Sequence, residues 1–245
     1  HDDIMDNADV RRGEPTVHKK FGLNAGILAG DVMMAYAYLY LAKISATHLQ
    51  PVLSLFNDTA IKIFEGQQMD IDFEQRENVT ETEYLKMIEY KTSVLLACSL
   101  QTGAILANAN EEEQKNIYEF GLNLGLAFQI MDDYLDTFGD GNKVGKKIGG
   151  DILQNKKTYL YISAKQYASE KQRIQLHKLK TETDEQKKVS EVKEIFETTG
   201  AKFRTQQTAN QFFEISLQSL KKIKVDEIQK QPLYQLAEKL NKREF

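Results

Sequence analysis

The chain has one cysteine, Cys98, and only three prolines, Pro15, Pro51 and Pro232, in 245 residues. A single thiol excludes an internal disulfide and fits a reducing compartment, so a cytoplasmic location is expected. Cys98 lies in the apolar run SVLLACSL, which predicts a buried core thiol rather than a nucleophile. The scarcity of proline leaves long stretches with nothing to break a helix. Alternating apolar and polar runs bounded by turn residues are also scarce, so strands are not expected. No secretory signal is visible and no repeat of fixed period is evident. The chain does not begin with methionine, and His1 already belongs to a motif, so a segment ahead of it is expected. Net charge is only −4, with acidic and basic residues well mixed, which gives no case for nucleic-acid binding. One apolar stretch, residues 23–42, has the length of a membrane span. Asp31 sits at its middle, where a charge costs about 2.5–3.5 kcal/mol on insertion. A helix buried in an all-α core is the better reading, and Asp31 then needs a polar partner.

What the chain does have is helical periodicity. Apolar residues recur at spacings of three and four. They predict helices near residues 1–9, 23–47, 49–66, 81–109, 111–138, 151–168, 185–199, 201–221 and 232–242. Thr80 and Glu83 have capping-box spacing. Tyr84, Met87, Ile88, Lys91, Leu95 and Cys98 are expected along one face of the helix that follows. Gly121 and Gly125 are poor helix formers, expected where a neighbouring helix or a substrate comes close. From about Glu170 the chain turns rich in Lys, Gln, Glu and Thr. The stretch HKLKTETDEQKKVSEVKE reads as a solvated surface segment between helices of the same domain.

Two acidic clusters carry the chemistry. HDDIMDNADVRRG contains Asp2, Asp3 and Asp6, and FQIMDDYLDTFGD contains Asp132, Asp133 and Asp136. In each, the first and last carboxylates are one helical turn apart and share a face. Like charges at that spacing repel. The second set has Phe128, Ile130, Met131 and Leu135 around it, so uncompensated carboxylates there would be costly. Mg²⁺ is a hard cation that takes one or two carboxylates together with substrate phosphates. Two acidic helices facing each other would hold such ions with a diphosphate in the gap. A single set is adequately explained as an acidic helix start favoured by the helix dipole. Two sets, each followed by basic residues, are not. Arg11 and Arg12 follow the first. GDGNKVGKKIGGDILQNKKT follows the second, with Lys143, Lys146, Lys147, Lys156 and Lys157 among glycines. Lysine binds phosphate as a point charge and arginine binds it bidentately. This loop is not a P-loop, because no strand precedes it and the GxxxxGK[ST] spacing is absent.

With these motifs the sequence resembles the trans-isoprenyl diphosphate synthases, the polyprenyl synthetase family. The matching segments are HDDIMDNADVRRGEPTVH, AGD at 29–31, GQQMD at 66–70, KTS at 91–93, FQIMDDYLD and GKKIGGDILQNKKT. They occur in the family's order across residues 1–160. The resemblance implies an all-α fold, a single helical-bundle domain around a central substrate cavity (the isoprenoid synthase type I fold). Residues 1–245 would form that one domain, with its N-terminal helices missing. It implies a homodimer and head-to-tail condensation of an allylic diphosphate (dimethylallyl, geranyl or farnesyl) with isopentenyl diphosphate. The product would be farnesyl or geranylgeranyl diphosphate.

By the same resemblance, Asp2, Asp6, Asp132 and Asp136 are Mg²⁺ ligands, with three ions per active site. Asp3 and Asp133 are inner- or second-shell partners. Arg11, Lys91, Thr92, Gln129 and a lysine of the Gly-rich loop contact the allylic diphosphate, and Arg12 contacts isopentenyl diphosphate. Lys146 and Lys147 compete for the loop role. Lys156 is the loop's second phosphate-facing lysine. Thr92, Phe128 and Gln129 border the allylic cation. The proton is lost to the departing diphosphate, so no histidine base is required, and His18 is expected to be structural. A GKxxRP-type segment and a further histidine of the family's isopentenyl diphosphate site are absent. Two rivals stand beside this reading. A class I terpene cyclase would share the acidic helix, but its second metal motif has an Asn/Asp, Ser/Thr, Glu pattern that DDYLD lacks. A non-catalytic regulatory subunit of a heteromer would be expected to have lost an aspartate or a phosphate-binding lysine.

Overall fold

The structure is a computed structural model and describes residues 1–139 and 148–242. Its contacts divide the chain into two compact units, His1–Asn57 and Asp58–Phe245.

In the first unit, α1 (Asp2–Met5) is far shorter than the helix expected over 1–9. Asn7 adopts φ +47°, a left-handed conformation that ends a helix and that Asn tolerates. Asp6 N–H still donates to Asp2 O at 2.8 Å, so Asp2 and Asp6 keep their one-turn spacing. A two-stranded hairpin follows, β1 (Val10–Arg11) and β2 (Glu14–Pro15). Its turn residues Arg12 and Gly13 have φ +54° and +83°, the double positive φ of a tight two-residue hairpin. The four paired residues are too few to show an alternating pattern, which is why strands were not expected. Next come α2 (Val17–Phe21) and α3 (Leu23–Leu41).

The helix α3 forms as expected, but it is not buried. Gly26 alone among its residues is buried, while Leu28, Met33, Tyr36, Leu39 and Tyr40 are each more than half exposed. The helix is apolar on every side, and the single chain leaves most of it uncovered. Asp31 does find a polar neighbour: its carboxylate lies 3.6 Å from His1 Nε2. No helix among the described residues is long and apolar enough to cross a membrane.

Helix α4 (Ala46–Gln75) runs well past residue 66, because Gly66 is an interior residue kept for packing rather than a C-terminal cap. In the second unit, α5 (Glu81–Ile88) begins with the predicted capping box. It passes through a π-helical turn, Glu89–Ser93, into α6 (Val94–Leu106). A π turn adds one residue to a helical turn. It therefore shifts the buried face: Val94, Ala97 and Cys98 are buried, while Leu95 is 52% exposed. Cys98 is the core thiol expected. Helix α7 (Glu111–Phe138) is the central element of this unit. Its Phe120, Leu124 and Ala127 pack with Phe213 and Leu220 of α12 (Ala201–Lys222) and Ala237 of α13 (Glu227–Lys242).

The segment expected as one helix over 151–168 is broken. Asn155 at φ +56° separates α8 (Gly150–Leu153) from α9 (Tyr159–Tyr167). The polar stretch after Glu170 contains a helix that composition concealed, α10 (Glu170–Leu179), started by a Ser169–Gln172 capping box. Leu176 and Leu179 of α10 join Val192, Ile195 and Phe196 of α11 (Glu185–Thr198) in one cluster.

The α5 capping box gives a pH prediction. The Thr80 backbone N–H, with Arg76 and the Thr80 hydroxyl, holds the Glu83 carboxyl down at about 2 against an ordinary 4.5. A depressed folded-state value means the contribution is present above 4.5 and lost as pH falls towards 2. Thermal melts between pH 2.5 and 6 should therefore show a shallower acid decline in Glu83→Gln than in wild type. Parallel curves would remove the cap from the acid response.

Candidate active site

Each acidic motif has its own local frame. In the first, Asp2 and Asp6 are exposed, while Asp3 is half-buried and accepts from Arg11 Nε at 2.6 Å. The chain bend that lies between Asp3 and Arg11 is the turn ending α1, where Asn7 is left-handed at φ +47°, and Arg11 then sits in β1. Asp3 thus differs from its two neighbours: it is paired with a side chain of the same motif. Behind the hairpin, Thr16 is buried and donates to Ala8 O at 2.7 Å. Both ring nitrogens of His18 are buried and have no hydrogen-bond partner, as suits a packed structural histidine rather than a base.

In the second unit, a cavity of about 120 Å³ opens between α4, α5, the π turn, α7 and the 151–158 segment. Carboxylates of Asp70, Asp132, Asp133 and Asp151 line it, together with Lys91, Lys156 and Lys157. The π turn puts Lys91 and Thr92 here. Lys91 Nζ donates to Asp70 Oδ2 at 2.6 Å, and Thr92 Oγ1 donates to Gln129 Oε1 at 3.2 Å. The π turn is gripped from two sides by glycines. A Cβ on Gly66 would sit 2.4 Å from Lys91 N, and one on Gly125 would sit 2.7 Å from Ser93 Cα. Gly121 stands similarly close to Ala97 Cα, at 2.8 Å. A neighbouring helix, not a substrate, thus takes the space left by Gly121 and Gly125.

The three aspartates of the second motif have three different surroundings. Asp132 lines the cavity. Asp133 also borders the cavity but is buried: Tyr84 OH (2.5 Å) and Tyr159 N–H (3.0 Å) both donate to its Oδ2, and Gln129 Nε2 donates to its Oδ1 at 3.4 Å. Burial, then the nearby Asp151 charge, pushes the Asp133 carboxyl up to about 7, against the pull of the Tyr84 and Tyr159 donors. Burial beside Asp133 also drives the Tyr84 phenol well above its ordinary value, so Tyr84 remains a donor. Asp136 holds the segment that follows: its Oδ2 accepts from Asp151 N–H at 3.0 Å and its carbonyl from Gly149 N–H at 2.7 Å.

Of the expected site residues, Lys91, Thr92, Gln129, Asp132, Asp133 and Lys156 come together at this cavity. Phe128 is half-buried on α7 and is not among the residues lining it. Lys146 and Lys147 lie outside the described residues. Sequence reading gave no role to Asp70, Tyr84, Asp151 or Thr158, which also line the cavity. Asp70 ends the matching segment GQQMD but was given no role, and Tyr84 carries no local signal, since it meets Asp133 only across the fold. Asp151 had one, lying five residues before Lys156 in the same Gly-rich segment. Lys157, counted only as a loop lysine, turns its Nζ to Glu74 O at 3.2 Å. Burial, then the nearby Lys180 charge, lowers its pKa.

Asp70, Asp132, Asp133 and Asp151 bring hard oxygen donors together beside Lys91, Lys156 and Lys157, and the Asp151 charge adds to burial in raising Asp133. No group of three or more His, Cys, Asp or Glu among the described residues could hold a metal ion by itself; carboxylates of this kind suit Mg²⁺ when substrate phosphate completes its coordination.

The polyprenyl synthetase family model matches residues 1–199. A short chain isoprenyl diphosphate synthase of Methanothermobacter thermautotrophicus is 42% identical over 202 residues, covering 82% of this chain and 62% of that protein. The chain thus spans about six-tenths of the length of that curated relative. Among solved structures, geranylgeranyl pyrophosphate synthetase of Pyrococcus horikoshii Ot3 matches with a TM-score of 0.94 at 34% identity, over 100% of this chain and 75% of that one. Geranylgeranyl pyrophosphate synthase of Corynebacterium glutamicum, complexed with isoprenyl diphosphate and magnesium, matches with a TM-score of 0.89 at 28% identity, over 99% and 74%.

Proposed function

This chain belongs to the polyprenyl synthetase family, and from that premise we propose that its protein is a prenyltransferase. It condenses isopentenyl diphosphate with an allylic diphosphate to make a longer trans-prenyl diphosphate. The geranylgeranyl enzymes among its solved relatives favour that product length. The observation that carries the proposal is the convergence of Asp132 and Asp151 with Lys91, Lys156 and Lys157 on one cavity.

In this reading residues 1–245 act as one all-α domain. Asp2, Asp6, Asp132 and Asp136 hold the Mg²⁺ ions, three per site. When bound, these ions neutralise charge on the departing diphosphate as Lewis acids. Lys91, Lys156 and Arg11 bind that diphosphate, and Arg12 binds isopentenyl diphosphate. The Thr92–Gln129 hydrogen bond fixes two dipoles beside the carbon that becomes cationic, which is electrostatic preorganisation. The isopentenyl double bond attacks that carbon, and the departing diphosphate takes the proton released. The exposed apolar side chains of α3, Leu28, Met33, Tyr36, Leu39 and Tyr40 among them, favour a second copy as partner, a homodimer, because clustered exposed apolar surface marks an interaction site. A cytoplasmic site of action fits the single buried thiol.

The test is a radiolabelled isopentenyl diphosphate assay on full-length protein with Mg²⁺ and dimethylallyl, geranyl or farnesyl diphosphate, resolving products by chain length. A ladder ending at one length is expected. No incorporation with any primer by folded protein would overturn the catalytic reading in favour of a regulatory subunit.

A further inference from the structure

The segment after Gly149 supplies Asp151, Lys156, Lys157 and Thr158 to the cavity, yet it contains only the single helical turn α8. A turn that short cannot hold four side chains in place by its own hydrogen bonds. Its front is tied to Asp136, as described. Its back is tied to a buried lysine that the proposed chemistry does not use. Lys188, on α11, is 5% exposed. Its Nζ donates to Leu153 O, the last carbonyl of α8, at 3.2 Å, and to Lys180 O, just past α10, at 3.4 Å. Asn155 Nδ2 donates to the same Lys180 O at 3.2 Å. One ammonium therefore joins the ends of two helices, where backbone carbonyls are left without partners and a cation is favoured.

The arrangement is expensive as a stability device. Lys188 sits beside Ile152, Val192 and Phe196, and that burial lowers its pKa. Replacing a buried charge with an apolar side chain of similar volume is often neutral or stabilising. A methionine would fill the space without the desolvation cost, but it would take the charged donor from Leu153 O, leave Lys180 O with Asn155 alone, and release the back of the loop. Resting on the prenyltransferase reading, we propose that Lys188 is a positioning residue. It sets the loop that carries Asp151 and Lys156, and so the affinity of the site for the diphosphate group.

The test compares Lys188→Met, Lys188→Arg and Val192→Ala in full-length protein. Val192 fills the same buried cluster but makes no polar contact to the loop, so it reports what loss of core stability alone does. Three quantities are read: Tm, the Kd of inorganic pyrophosphate with saturating Mg²⁺ by calorimetry, and the KM and kcat for the allylic diphosphate. Lys188→Met should weaken pyrophosphate about tenfold, the scale of one or two lost charge-assisted bonds. It should raise KM more than it lowers kcat, and Lys188→Arg should restore part of the affinity. Val192→Ala should lower Tm with little change in Kd. The inference is overturned if Lys188→Met binds pyrophosphate like wild type. It is equally overturned if affinity simply tracks Tm across all three variants. Wild-type protein that neither binds pyrophosphate nor turns over would instead overturn the prenyltransferase reading, and this inference with it.

Discussion

Asp132→Ala should lower prenyl transfer by about 10³-fold or more while leaving the melting temperature near that of wild type. The neighbouring Asp133→Ala should lower the melting temperature sharply. Adjacent aspartates of one motif are thus expected to fail in different ways. Asp132 lines the cavity, and loss of one preorganised electrostatic group typically costs about 10²–10³ in turnover. Losing a proposed metal ligand adds to that. Asp133 accepts both Tyr84 OH and Tyr159 N–H in a buried pocket. Alanine would strand both donors, at about 1–3 kcal/mol each, and open a cavity besides. Asp133→Asn should be tolerated far better, because its amide oxygen accepts from the same donors. Steady-state kinetics beside thermal melts for the three variants distinguish these outcomes. Equal loss of activity at wild-type stability for Asp132→Ala and Asp133→Ala would refute the division of labour.

Gly66→Ala and Gly125→Ala should each destabilise the protein by about 2 kcal/mol or more, and both should reduce activity in the folded fraction. The added Cβ would lie 2.4 Å from Lys91 N and 2.7 Å from Ser93 Cα respectively. Both obstacles are backbone, so no side-chain rotation relieves them. Overpacking of this kind typically costs about 1–3 kcal/mol. The relief available is to move the π turn, and that turn carries Lys91 and Thr92. Gly103, an exposed position of α6, is the control. Nothing lies within 4 Å of a Cβ there, and glycine in a helix costs about 0.5–1 kcal/mol relative to alanine. Gly103→Ala should therefore stabilise. Urea unfolding midpoints for the three variants test this, and a neutral Gly66→Ala would mean that α4 stands further from the π turn than described.

The all-α character, the capping box at Thr80, the buried thiol at Cys98 and the paired aspartate motifs were legible in the residues alone. These are readable because each depends on spacing within a turn or two of helix, where backbone geometry converts sequence distance directly into spatial distance. The tertiary structure alone decided which of the two adjacent carboxylates bordering the cavity is buried. Asp132 and Asp133 are adjacent in sequence and alike in chemistry, and they differ only because Tyr84 and Tyr159 come from elements 49 and 26 residues away to bind the second. The same holds for Gly66, which reads as a helix end until the backbone of Lys91 is found against it. It holds also for Lys188, a surface lysine by composition, which burial between two helix ends turns into an anchor. Local spacing cannot reveal such roles, because each is set by groups that only the packing of distant helices brings within hydrogen-bonding or contact distance.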